Sequence, residues 1–120
     1  MPDTETTVAQ LRELVNDFVD RRDWHQFHSP KNLSMSMAIE AAELMEHFQW
    51  LTPEQSRDLA ADSPRLEEVA DELADVLCYA LAMANETGID ISAAVRRKLA
   101  KNELKYPAEQ YRGRFGPEDR

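Results

Sequence analysis

Glycine is scarce in this chain: Gly88, Gly113 and Gly116 are the whole supply in 120 residues, and all fall in the last third. A sandwich or barrel needs many tight turns, and this sequence lacks the residues to make them. Cysteine is scarcer still. The single Cys78 excludes an intramolecular disulfide framework and suits a reducing, cytoplasmic setting. It falls in an apolar helical pattern and reads as a buried, inert thiol. Positive charge is in deficit, with 14 Lys and Arg against 23 Asp and Glu, for a net charge of -9. No Lys/Arg stripe dominates, so a nucleic acid polymer is not an expected partner. No apolar run approaches the ~20 residues of a membrane span. The opening "MPDTETTVAQ" is acidic and polar, unlike a signal peptide.

What remains is a composition of 42% hydrophobic and 31% charged residues, which fits one soluble, all-α domain. Val8, Leu11, Leu14, Val15, Phe18 and Val19 recur at helical spacing and predict a first helix from about Thr6 to Asp23. "WHQFHSPKN" breaks that pattern and reads as an ordered loop. A second helix is expected from an Asn32 cap to about Leu51, with Met37, Ala41, Leu44, Phe48 and Leu51 on its apolar stripe. Thr52, Pro53 and Gln55 match a capping box and predict a short helix. Ser63 and Pro64 repeat the start signal for a helix that runs to Thr87 and stops at Gly88, with Leu66, Val69, Leu73, Leu77, Ala80, Leu81 and Ala84 inward. Asp90 or Ser92 caps a last helix ending before Pro107. The expected architecture is a four-helix bundle over residues 1–106, its core completed by oligomerisation, and a polar, extended or partly disordered tail over 107–120.

Two acidic stripes need an explanation. "IEAAELME" places Glu40, Glu43 and Glu46 three residues apart on the second helix, and "DELADV" places Glu72 and Asp75 likewise on a later one. Residues three apart share a helix face. Two carboxylates ~5 Å apart at an effective dielectric of ~20 repel by about 3 kcal/mol. No lysine or arginine lies between Lys31 and Arg57, or between Glu67 and Asp90, to offset this. A bound cation is the simplest compensator, and all-oxygen ligands favour Mg²⁺ or Mn²⁺. A carboxylate-bridged di-iron bundle would instead place histidine three residues after a glutamate. Those positions hold Glu46 and Asp75. The competing account is a non-catalytic helical interaction domain whose acids form a solvated surface face.

Taken in order, "FHSPKNLSMSMAIEAAELMEHFQWL", "EEVADELADVLCYALAMA" and "KLAKNELKYP" resemble the all-α nucleoside triphosphate pyrophosphohydrolases, specifically the MazG-like group in its dCTP pyrophosphatase branch. The resemblance covers about Phe18 to Tyr106. It implies a Mg²⁺-dependent hydrolase that cleaves a nucleoside triphosphate, dCTP or a modified dCTP, to the monophosphate and pyrophosphate, in a housecleaning role. It implies metal ligation by Glu40, Glu43, Glu72 and Asp75, with Glu46 beside them. It also implies a base pocket from Trp24, Phe27, His28, Trp50 and Tyr79, and phosphate contacts from Lys98, Asn102, Lys105 and Tyr106. Members work as dimers or as tetramers built from dimers, so a homo-oligomer is expected.

The chemistry of these residue types agrees. A cation would offset repulsion between a triphosphate and a -9 protein. Glu43 or Glu46 would hold the attacking water as general base. Lys98 and Asn102, one turn apart, present a cation and an amide on one face. Aromatic faces stack on bases, which suits Trp24, Trp50 and Tyr79. His25 and His28 have bonding capacity toward base or phosphate, and His47 lies one turn from Glu43.

Overall fold

The computed structural model describes residues 1–61 and 63–114. All regular structure in these residues is helical, with no strand among them. The order is α1 Val8–Arg21, α2 Pro30–Glu46, α3 Pro53–Asp58, α4 Ser63–Thr87, α5 Ile91–Lys105 and α6 Ala108–Tyr111, with short 3₁₀ helices at Asp3–Glu5, His25–Phe27 and Leu59–Ala61. The chain divides into two units, residues 1–88 and 89–120.

In the first unit, α4 packs on both α1 and α2. The join to α1 is reciprocal: Arg12 Nε donates to Asn85 Oδ1 at 3.1 Å, and Asn85 Nδ2 donates to the Arg12 carbonyl at 3.0 Å. The join to α2 is antiparallel. Arg65, near the start of α4, donates to the carbonyl of His47, just past the end of α2. Glu40 and Glu43, further back on α2, meet Glu72, further along α4.

Local chemistry sets most helix ends. Thr7 caps α1 in a capping box, its Oγ1 accepting from Gln10 N–H while Gln10 Oε1 accepts from Thr7 N–H. Helix α1 therefore starts at Val8 rather than Thr6. Ser29 caps α2 with Pro30 at the first position, where a missing N–H costs nothing. The expected cap, Asn32, instead lies inside the helix: its N–H donates to Ser29 Oγ, and its Nδ2 donates to the Phe27 carbonyl. Helix α2 also ends at Glu46, short of Leu51, because the chain tightens into i→i+3 bonds at His47, Phe48 and Leu51. Thr52, Pro53 and Gln55 form the capping box that opens α3, as their spacing predicts. Gly88, at φ +73°, takes the left-handed conformation that stops α4, and Asp90 caps α5. Part of the stretch expected to be extended is α6. The side-chain cap expected from Ser63, and the tail beyond 114, fall outside the described residues.

Asp23 is where no glycine signalled a stop. It adopts φ +53° directly after α1. Its N–H reaches the Asp20 carbonyl and the Trp24 N–H reaches the Val19 carbonyl, the paired bonds of a Schellman ending. The accompanying apolar contact is Trp24 edge-on to Phe18, with ring centroids 5.8 Å apart. A side chain in the left-handed region costs ~1–2 kcal/mol. Asp23→Gly removes that cost and also the Asp23 carboxylate's bond to Gln26. It should raise stability by up to ~1 kcal/mol, read as a higher urea midpoint at unchanged m-value.

The buried apolar set among the described residues is small: Val19, Leu33, Leu59, Leu81, Ala82 and Ala84. Leu66, Leu73 and Leu77, expected inward, are 42%, 49% and 53% exposed. Neither α1 nor α2 covers that face of α4, so burial concentrates in its last turns.

Candidate active site

Spacing of three along α2 puts Glu40 and Glu43 on one face, and the antiparallel packing sets Glu72 opposite them. One carboxylate oxygen from each lies within 4.8 Å of the others. Glu40 Oε2 and Glu72 Oε2 are buried and meet no hydrogen-bond donor. Burial, then Glu43, then the charges of Asp75 and Glu72 push the Glu40 carboxyl up from 4.5 to about 7. Burial, Glu43 and Asp75 raise Glu72 too, with the nearby His47 working the other way. Glu43 bears on both neighbours and is the centre of the trio. Three converging carboxylates, two of them with a buried oxygen that meets no donor, are the right donor set for a hard divalent cation, so the residues fit the metal the sequence implies.

Asp75 lies outside the 4.8 Å group, although its charge acts on Glu40, Glu72 and Cys78. It instead lines a cleft of about 450 Å³ beside the acids. Leu14, Val15, Phe18 and Val19 of α1 form one wall, Cys78, Tyr79 and Ala82 of α4 another, and Trp24 and His28 of the connecting turn a third. The exposure of Leu14 and Phe18 is thereby explained: they are cleft wall rather than core. The cleft is mostly apolar with a few polar groups, and its volume suits a small aromatic ligand. His28 Nδ1 is a further buried atom with no hydrogen-bond partner.

Of the base-pocket candidates, then, the cleft gathers Trp24, His28 and Tyr79. It does not include Phe27, which is 59% exposed, or Trp50, which is 87% exposed on the turn after α2. Glu46 closes α2 and lies outside the trio. Lys98, Asn102 and Lys105 lie on α5 of the second unit, with Tyr106 at its end, where the Lys105 ammonium sits 5.3 Å from the Tyr106 ring. Cys78, expected to be buried, is exposed along the cleft wall. Partial desolvation and the Asp75 charge push its thiol up, so it stays protonated. His25 is the residue whose setting the sequence did not disclose. It touches Glu86, which is 61 positions away along the chain.

Comparison with known proteins agrees with the sequence resemblance. The MazG-like family pattern matches residues 35–114. The chain is 39% identical to bovine (Bos taurus) dCTP pyrophosphatase 1 over 112 residues, which is 92% of this chain and 65% of that protein. It is 36% identical to the human (Homo sapiens) protein of the same name over 104 residues, 87% of this chain and 61% of that one. The chain thus spans somewhat under two thirds of these relatives. A pyrophosphatase of known crystal structure from Archaeoglobus fulgidus DSM 4304 superposes with a TM-score of 0.78 at 38% identity, covering 89% of this chain and 98% of that one.

Proposed function

Because the chain belongs to the MazG-like family, we propose that it is a Mg²⁺-dependent nucleoside triphosphate pyrophosphohydrolase, taking dCTP or a modified dCTP to the monophosphate and pyrophosphate. The observation that supports this reading is the acid trio, with donorless buried oxygens on Glu40 and Glu72, beside a base-sized cleft that Asp75 lines while its charge acts on Glu40 and Glu72. The relatives' names supply the substrate class. In this reading Glu40, Glu43, Glu72 and Asp75 hold the cation, Mg²⁺ with Mn²⁺ as a substitute. When bound, it supplies positive charge to the phosphate oxygens. Trp24 and Tyr79 receive the base, and His28 Nδ1 is a bonding group for it. Glu43, or Glu46 at the end of the same helix, holds the attacking water and takes its proton. Phe27 and Trp50 are candidate base contacts only if the substrate extends beyond the cleft. Lys98 and Asn102, a cation and an amide one turn apart, with Lys105 and Tyr106, suit phosphate.

A homo-oligomer, dimer or tetramer, is supported by the exposed Leu66, Leu73 and Leu77 of α4 and by Ile39 of α2, which is 58% exposed. Covering such a surface with a second copy is the usual remedy. No helix among the described residues is long and apolar enough to cross a membrane. The proposal places the enzyme in the cytoplasm, with residues 1–106 as its catalytic domain, acting on free nucleotides rather than polymers.

The test is a panel of deoxynucleoside triphosphates, cytosine-modified ones included, incubated with Mg²⁺ and resolved by product. Monophosphate and pyrophosphate in equal amounts are expected, with cytosine nucleotides preferred. Orthophosphate release, or no turnover of any member, would overturn the reading.

A further inference from the structure

The turn between α1 and α2 carries two of the cleft's side chains, Trp24 and His28, and His25 lies between them. Its ring joins the turn to both neighbouring helices. Nδ1 is 2.6 Å from Glu86 Oε1 on α4, and Nε2 is 3.2 Å from Asp20 Oδ1 on α1. A neutral imidazole has one N–H and one lone pair, so one of these carboxylates would face a lone pair. Only the imidazolium satisfies both. The surroundings agree: the bond to Glu86 leads in pushing the His25 pKa up, partial desolvation opposes it, and the charges of Glu86 and Asp20 add to the rise. The titratable groups that face the ring are Asp20 from α1, Glu86 from α4, and His28 of the same turn, which shares a small adjoining cleft with His25 and Glu86.

We propose that His25, as an imidazolium bridging Asp20 and Glu86, is a positioning residue that fixes the Trp24–His28 turn in the form that receives the substrate base. This rests on the reading of the cleft as the base site. His25 itself does not line that cleft. It acts through Trp24 and His28. Because the pKa is raised, the bridge is complete below the ordinary value of 6.5 and is lost as pH rises through the higher folded value. If loss of the bridge leaves about a tenth of the molecules competent, KM rises ~10-fold while kcat holds.

The experiment uses the full chain saturated with Mg²⁺ and dCTP as substrate, with KM and kcat followed from about pH 6 to about pH 9. Wild type should show the rise in KM. H25Q should have a high KM throughout. H25K, which keeps the cation and removes the titration, should hold a low KM across the range. E86Q should move the rise to lower pH. A wild-type KM in H25Q, or a rise that persists unchanged in H25K, overturns the proposal. Should H25Q fail to fold, H25K and E86Q still decide it. A second measurement needs no nucleotide: the indole N–H resonance of Trp24 should shift with the His25 imidazole titration. If Trp24 tracks His25 but dCTP is not turned over, the cleft reading fails and the bridge stands. If dCTP is turned over and Trp24 ignores the titration, the bridge fails.

Discussion

Replacing Glu43 by glutamine should lower turnover by about 10³-fold, within the ~10²–10⁴-fold range of general acid–base catalysis. The same substitution should make the metal-free protein more resistant to heat. Both follow from the place of Glu43 in the trio. It bears on Glu40 and Glu72 alike, whose carboxyls are raised in part because of it. Glutamine keeps the shape and removes the central negative charge. Without metal, two carboxylates then remain where there were three, and an amide N–H is available to a donorless oxygen of Glu40 or Glu72. With metal and substrate, the proposed reading has the loss of that charge remove a ligand, and the proton acceptor as well where Glu43 rather than Glu46 holds the water. Steady-state pyrophosphate release and thermal unfolding in chelator measure the two halves. Near-normal turnover would mean that Glu43 is a bystander. A lower unfolding temperature in chelator would mean that charge repulsion does not strain the trio.

Adding Mg²⁺ at mildly alkaline pH should raise the unfolding temperature by roughly 10 °C, and by much less at about pH 5. Ion at 100 times its dissociation constant contributes about 2.7 kcal/mol to the folded state. The pH dependence follows from Glu40, about 7 in the folded chain against 4.5 in the unfolded one, with Glu72 raised in the same direction. Between those values the folded state binds more protons than the unfolded state, so metal-free stability falls as pH rises across this window and levels off above about 7. The cation needs the ionised carboxylates, so its contribution grows over the same window. Metal should therefore restore at high pH what ionisation removes. Unfolding scans with Mg²⁺ and with chelator, at both ends of the window, check this. Equal increments at both ends would show that ionisation of the trio and ion binding are not linked.

How much of this was legible beforehand follows the range of the interactions. Capping boxes at Thr7–Gln10 and Thr52–Gln55 operate over three residues, and so does the stripe that aligns Glu40 with Glu43. The first box was there to be read, and the T-x-x-Q pattern was the signal for starting α1 at Val8. Placing Glu72 across from the α2 pair took packing, but its own helical register already aimed at a partner face. The misjudged features depend on energies no local pattern reports. Asp23 takes a glycine conformation because the Phe18–Trp24 contact and two backbone bonds outweigh the strain. Apolar spacing cannot distinguish core from cleft wall, so the helical recurrence of Leu14 and Phe18 gave no sign that they line a cleft. Nor can it say whether a neighbour covers a helix, so Leu73 and Leu77 looked inward. Trp50 looked helical because the tightened turn ahead of Pro53 leaves no trace in hydropathy. The pairing of His25 with Glu86 crosses most of the chain.

The uneven burial along α4 supports the two ends of the proposed site differently. Leu81, Ala82 and Ala84 are sealed at one end, where Arg12 and Asn85 also lock the helices together. Around Glu72 the flanking Leu73 stands open to solvent. In the proposed reading, the part of the base cleft formed by the buried Val19 and Ala82 is therefore fixed by packing before substrate arrives. In the same reading the carboxylate end, with Leu73 open to solvent beside Glu72, has less packing to hold it and would take its working shape as the triphosphate and its cation bind.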